Sequence, residues 1–112
     1  MEIISSEQGD VTILAISGSL DAMTADDVSE QIRLAFDRQR TKLVLDLDGV
    51  EFMSSAGLRT ILASLQISRQ KGGDLRLAGG SSNIKRMLDF SGFTKILKAF
   101  DTNEEAVASF AG

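Results

Sequence analysis

Residues 42–65 read KLVLDLDGVEFMSSAGLRTILASL, and this stretch contains both kinds of regular structure from which the fold is built. Residues 42–47 form a short apolar run that is typical of a strand in the interior of a sheet. Farther along, aliphatic residues recur at the spacing of one helix face. They are Leu58, Ile61, Leu62 and Leu65. A strand that leads directly into an amphipathic helix is the repeating unit of an α/β fold.

Two strands and a helix are predicted before this stretch. Residues 11–16, VTILAI, are apolar and rich in β-branched side chains, and the strand is expected to end at Gly18. Residues 2–5 are predicted to form an earlier strand, joined to it as a hairpin. In the helix that follows, Thr24 and Asp27 resemble a capping box. The buried face of this helix is predicted to carry Val28, Ile32, Ala35 and Phe36.

The same alternation continues after this stretch. The second helix is expected to stop at Gly72, and the next core strand to carry Leu75, Leu77 and Ala78. A shorter helix follows and ends near Gly92, and residues 96–100 are predicted to form an edge strand. Thr102 and Glu105 have the spacing of a capping box for a terminal helix. The inward residues of these last two helices are predicted to be Ile84, Met87, Leu88, Val107 and Phe110.

These patterns predict an α/β fold in which the sheet is mixed but mostly parallel. Short connections between alternating strands and helices favour parallel strands with right-handed crossovers, and the initial hairpin adds one antiparallel pair. The prediction is four to five strands and about four helices. No proline, linker or low-complexity tract interrupts the chain, so residues 1–112 are predicted to form one domain.

The composition argues against several classes of function. Twelve Lys and Arg against sixteen Asp and Glu give a formal charge of −4, which disfavours binding to nucleic acid or to an anionic membrane. The sequence has no Cys and no His, which removes the usual nucleophile, general base and transition-metal ligands. No apolar run is long enough to insert in a membrane. We therefore predict a non-enzymatic protein of the cytoplasm with no metal site and no cofactor.

The junction after the central strand carries most of the functional information. Ser54 or Ser55 can cap the helix, because a serine hydroxyl accepts a hydrogen bond from the first turn. Gly57 lies inside that turn and costs roughly 1 kcal/mol of helix propensity relative to alanine. One interpretation is an ordinary capped helix; another is close approach by a partner or an anion. In open α/β sheets, ligands gather at the carboxyl ends of strands, where this junction lies.

At this junction the sequence resembles the STAS domain family. Residues 52–62, FMSSAGLRTIL, resemble the family's signature, and residues 18–21 with Thr24-Ala25 resemble its G-x-L-D-x-x-T-A turn. Residues 44–47 and 98–106 resemble its central strand and its C-terminal end. The resemblance covers essentially the whole chain. It implies the STAS fold and the function of an anti-sigma factor antagonist.

The resemblance also implies a phosphorylation switch. In members controlled in this way, an anti-sigma factor that is also a serine kinase of the ATPase type modifies a serine two residues before the glycine. Aligning that glycine with Gly57 indicates Ser55 as the modified residue, with Ser54 as second choice. Ser54 stands where the family has Asp, a departure that bears on kinase recognition. A separate serine phosphatase would restore the unmodified form.

A partner-binding surface is predicted around this serine. Asp21 matches a family acid near the modified residue, although an Asp there can equally bond its own turn. The predicted contacts are Asp21, Ser54, Ser55, Ala56, Gly57, Thr60, Ala63 and Ile67. The last three lie, with Ala56, opposite the apolar stripe of the second helix. Asp46 is interpreted as structural. The alternative function is a non-sigma STAS interaction module, such as a partner-switching adaptor or a small subunit of a lipid-transport ATPase.

Overall fold

The computed structural model describes residues 1–111. The strands run over Glu2–Gln8 (β1), Val11–Leu20 (β2), Lys42–Met53 (β3), Asp74–Ala78 (β4) and Ala99–Phe100 (β5). The helices run over Ala25–Asp37 (α1), Ser55–Gln70 (α2), Ser82–Phe90 (α3) and Asn103–Ala108 (α4). A 3₁₀ turn over Phe93–Lys95 lies between α3 and β5. Among the described residues, no helix has both the length and the apolar content that a membrane crossing requires.

The strands form one sheet in the order β1-β2-β3-β4-β5. β1 and β2 pair antiparallel, and each later pair is parallel. The predicted mixed, mostly parallel α/β sheet is therefore confirmed. Parallel neighbours require crossover connections, which α1, α2 and α3 supply.

Side chains of β3 alternate between two buried layers because successive residues of a strand point to opposite faces. Leu43 and Leu45 join the larger cluster, which packs under α1, α2 and α3. Val44 joins a smaller cluster under α4, around the fully buried Ala106. Burial on both faces explains the unbroken apolar run at residues 43–45, which ends at the half-buried Asp46.

The region around α4 is tied to the sheet by Arg76 of β4. Its side chain is 11% exposed and donates hydrogen bonds to Asp74 Oδ2 (3.1 Å) and to Ser109 Oγ (2.6 Å). The guanidinium carbon lies 4.0 Å from the ring centroid of Phe110, a cation–π contact. Val107 and Phe110, which were predicted to be buried, are only partly buried against this layer.

Three strands are longer than predicted: β1 runs to Gln8 and not only to residue 5, and glycine ends neither β2 nor β3. β2 continues past Gly18 to Leu20, and β3 continues past Gly49 to Met53. The register between them shifts from Ala15 opposite Asp46 to Ser17 opposite Gly49. A Cβ on Gly49 would lie 2.8 Å from the Ser17 Cβ, so glycine lets the two strands stay paired through the irregularity.

The last strand is shorter than the predicted 96–100. The carbonyl of Ile96 accepts a hydrogen bond from Arg69 (2.9 Å), and the N–H of Leu97 donates to Phe93 O (3.1 Å). These backbone groups are therefore used outside the ladder, and only Ala99–Phe100 form β5.

The two predicted capping boxes have different outcomes. Thr102 caps α4, since its hydroxyl accepts from the N–H of Glu105 (3.1 Å). Thr24 precedes α1, but its side chain makes no cap hydrogen bond to the helix, so that prediction is wrong. The Thr24 hydroxyl instead donates to Ser19 O (2.7 Å) and accepts from the N–H of Asp21 (3.0 Å).

Candidate functional site

The predicted site lies where β2 and β3 end side by side. Leu20, the last residue of β2, is paired with Met53, the last residue of β3. The N–H of Ser54 donates to Leu20 O at 2.9 Å, which carries the contact one residue beyond the strands. The loop that starts at Asp21 and the helix that starts at Ser55 therefore leave the sheet as neighbours.

The N-cap of α2 is Ser54. Its Oγ accepts a hydrogen bond from the N–H of Gly57 at 3.4 Å, and its backbone is extended, as a cap requires. Ser54 is half-buried, whereas Ser55, the first residue of the helix, is exposed. The two serines thus have different environments, and only the hydroxyl of Ser54 is committed to the cap.

Gly57 serves the packing of the protein itself. It is buried, and a Cβ at this position would lie 2.7 Å from Leu20 O, 2.8 Å from Leu20 Cγ and 3.1 Å from Met53 Cγ. A close approach of the kind that the sequence suggested is therefore present between α2 and the end of β2. Gly57 lies beneath the predicted surface.

Asp21 organises the loop between β2 and α1. Its Oδ1 accepts hydrogen bonds from the N–H groups of Met23 (2.9 Å) and Thr24 (3.2 Å), which is the turn-forming arrangement that the sequence allowed. The Thr24 hydroxyl, bonded to Ser19 O, holds the other side of the turn. The loop beside Ser55 is consequently fixed by several hydrogen bonds.

The outer face of α2 is only partly as predicted. Ala63 and Ile67 are exposed, Ile67 by 42%, and could contact a partner directly. Ala56 and Thr60 are half-buried, so they offer less surface than predicted. The buried positions of α2 include Ser64 and Ser68 beside Ile61 and Leu65, while Leu58 and Leu62 are only partly buried.

Met23 is an exposed residue at this site that no pattern in the sequence indicated. Its side chain is 90% exposed, although methionine is apolar, and it lies at the tip of the loop that Asp21 holds. A periodicity pattern assigns faces only within helices and strands, so a loop residue gave no signal. The one clue was a large apolar residue in an otherwise small and polar turn.

Asp46 and a separate cavity lie outside this surface. Asp46 accepts a hydrogen bond from Asn103 Nδ2 (2.9 Å), which joins β3 to α4, and another from the N–H of Asp48 (3.0 Å) within β3. A cavity of about 510 Å³ opens between α3 and β5, and none of the predicted site residues lines it. Within residues 1–111, no group of three or more His, Cys, Asp or Glu side chains gathers to hold a metal ion.

This single α/β sheet, with an exposed serine at the helix that follows its central strand, matches a known family. The STAS domain model matches residues 2–106, and the chain belongs to the STAS domain family. A relative from Paenibacillus polymyxa, called anti-sigma F factor antagonist, is 36% identical over 98 residues, which are 87% of this chain and 84% of the relative.

Solved structures show the same fold. An anti-sigma factor antagonist from Mycobacterium paratuberculosis has a TM-score of 0.89 at 22% identity, covering 99% of this chain and 94% of that one. The anti-sigma factor antagonist SpoIIAA in its unphosphorylated form has a TM-score of 0.76 at 19% identity, covering 99% of each chain. SpoIIAA, called a Bacillus cell fate determinant, has also been solved in a phosphorylated form, which gives a TM-score of 0.74 at 19% identity and covers 96% of this chain and 98% of that one.

Proposed function

We propose that this protein is an anti-sigma factor antagonist of the cytoplasm that is switched by phosphorylation of Ser55. In the unmodified state it binds an anti-sigma factor, a serine kinase of the ATPase type, and so releases a sigma factor. Phosphorylation by that kinase ends the binding, and a serine phosphatase restores it. The observation that carries the proposal is the exposed Ser55 at the first turn of α2, beside the loop held by Asp21.

Burial and hydrogen bonding favour Ser55 over Ser54 as the modified residue. A kinase needs the hydroxyl to reach its active site, and Ser55 is exposed. The Ser54 hydroxyl accepts from the N–H of Gly57 and is half-buried, so modifying it would disturb the cap. Ser54 also supplies the capping oxygen that an Asp would supply, but without its charge.

A phosphate on Ser55 is compatible with the fold. It adds about −1.5 to −2 charges at pH 7, and a helix N-terminus favours an anion through its free N–H groups and dipole. Because Ser54 is uncharged, no carboxylate adjoins the phosphate in the chain. We therefore expect local charge and bulk, and not refolding, to change the affinity for the partner.

Inside an interface the same phosphate is unfavourable. It occupies space that the unmodified surface offered to the partner, and it must give up its hydration unless the partner supplies donors for it. A coupling free energy of about 1–3 kcal/mol corresponds to a 5- to 150-fold change in affinity. A switch of this size requires no movement of the sheet.

The test begins with the partner. We would use the tagged chain to recover the ATPase-type anti-sigma factor of the native cell, purify that protein, and titrate it with the unmodified chain by calorimetry. Phosphorylation by this partner with Mg-ATP, mapped by fragment mass spectrometry, is expected on Ser55. The phosphorylated chain is expected to bind about 5- to 150-fold more weakly.

Matched variants separate the two serines. Ser55→Ala is expected to bind but not to accept phosphate, whereas Ser54→Ala is expected to accept phosphate on Ser55. Phosphate on Ser54 would keep the switch and correct its position. If every ATPase-type anti-sigma factor of the cell fails to bind while a transporter subunit or another signalling protein does, the chain is the non-sigma interaction module instead.

A further inference from the structure

Met23 is displayed on a fixed turn. Exposure of 90% leaves almost the whole apolar side chain in water, yet its own N–H is held by Asp21 Oδ1 at 2.9 Å. The next residue, Thr24, is bonded to both Asp21 and Ser19. A side chain on a fixed backbone loses less conformational entropy on binding than one on a mobile loop.

The turn lies beside the switch serine. Leu20, which precedes the turn, accepts the N–H of Ser54 and packs against Gly57. These contacts tie the base of the Met23 turn to the first turn of α2. A partner that covers Ser55 can therefore cover Met23 in the same contact.

The surroundings of Met23 are acidic. Asp26 and Asp27 both lie in the first turn of α1, the helix that directly follows the Met23 turn, and the exposed Arg59 lies one helical turn after Ser55 in α2. Asp26, in the first turn of α1, and Glu51, near the end of β3, are both exposed. An apolar group with carboxylates around it is complementary to a pocket with a basic rim.

We propose that Met23 is the apolar anchor of the anti-sigma factor complex and inserts into an apolar pocket rimmed by Lys or Arg on the partner. This inference rests on the proposed function, because it assigns the recognition of that partner. A few residues near the centre of an interface carry most of its binding energy, and methionine is enriched at interfaces, while hydrated rim charges mainly raise the association rate. The anchor gives affinity, and phosphorylation of Ser55 beside it controls that affinity.

The experiment uses the purified ATPase-type anti-sigma factor and the full chain. Met23→Ser is expected to weaken binding about 10-fold or more, and Met23→Leu, which keeps the apolar volume, is expected to bind within about threefold of the original chain. Asp26→Asn is expected to lower the association rate and its dependence on salt, with little change in the dissociation rate.

Phe90 offers a matched control. It is also 90% exposed, but it lies at the end of α3, away from the carboxyl ends of the strands. Phe90→Ser is expected to leave the affinity unchanged. All variants should keep the circular dichroism spectrum and melting temperature of the original chain, because neither side chain is part of the core.

The outcomes separate this inference from the proposed function. If the original chain binds the anti-sigma factor and Met23→Ser binds it equally well, Met23 is not the anchor, but the proposed function is supported. If Met23→Leu is as weak as Met23→Ser, an apolar pocket is also excluded. If the original chain binds no anti-sigma factor, the proposed function itself fails. Equal losses in Met23→Ser and Phe90→Ser would show non-specific apolar contact and would overturn the anchor.

Discussion

Replacing Gly57 by valine is expected to lower the free energy of unfolding by about 3 kcal/mol, at the upper end of what overpacking costs. The new Cβ would lie 2.7 Å from Leu20 O, a backbone atom that cannot move without disturbing β2. Alanine would bring the same Cβ, but its higher helix propensity, roughly 1 kcal/mol better than that of glycine, would offset part of the clash. Valine adds two methyl groups and, being β-branched, regains less.

The measurement is thermal and urea unfolding followed by circular dichroism. For a domain of this size, about 3 kcal/mol corresponds to a melting temperature lower by roughly 10–20 °C. Ala63→Val is the control, because residue 63 is exposed on the same helix. It should cost less than about 1 kcal/mol. A Gly57→Val protein as stable as the control would contradict the contact between α2 and Leu20.

Replacing Arg76 by methionine is expected to cost about 2–3 kcal/mol at pH 7, because hydrogen bonds to charged groups and a cation–π contact are lost together. Methionine keeps the apolar stem and removes the guanidinium. The loss leaves the largely buried Asp74 with Arg69 as its remaining cation partner, at 2.9 Å. The substitution also removes the contacts of the guanidinium with Ser109 and Phe110. The chain after α4 should therefore become more accessible to protease.

This cost should depend on pH through Asp74. Burial raises the pKa of the Asp74 carboxyl, but hydrogen bonds from Arg69, Arg76 and a backbone N–H outweigh it and hold the pKa below 3.8. A carboxyl whose pKa is depressed by folding stabilises the protein above its unfolded pKa. That stabilisation is lost as the pH falls through the folded-state value. The difference in free energy of unfolding between Arg76→Met and the original chain should therefore become smaller below pH 3.8.

Urea unfolding at a series of pH values checks this expectation. Arg33→Met is the control, since Arg33 is 56% exposed and its ion pair with Asp37 is exposed as well. Exposed pairs contribute about 0–1 kcal/mol. If the difference in free energy of unfolding between Arg76→Met and the original chain stays constant down to pH 3, the guanidinium of Arg76 does not stabilise the Asp74 carboxylate.

Periodicity predicted the fold well because the core is built from regular faces. Val28, Ile32 and Ala35 are buried as their spacing indicated, and so are Leu75 and Leu77. The errors concern backbone contacts between distant segments. The strand predicted over residues 42–47 continues through Gly49, which lies opposite Ser17, and no local pattern shows which segment will lie alongside.

The candidate site was predicted less completely. Resemblance indicated Ser55, and the structure adds that Ser54, its neighbour, is the cap. Gly57 was selected for the right property, close approach, but the approaching group is Leu20 of the same chain. Met23 was missed because exposure in a loop depends on how hydrogen bonds hold that loop, and these bonds come from Asp21 and Thr24.

The sheet order has a consequence for how the chain folds as it is synthesised. β2 takes β1 as a local hairpin partner, but its other partner, β3, lies beyond α1 in the sequence. A two-stranded hairpin is at best marginally stable in water, so β1 and β2 alone do not shield the apolar side chains of β2 from solvent. The segment VTILAI can therefore pair with wrong partners until residues 42–46, which lie opposite it in β3, have left the ribosome. Pairing with β3 is the step that protects it.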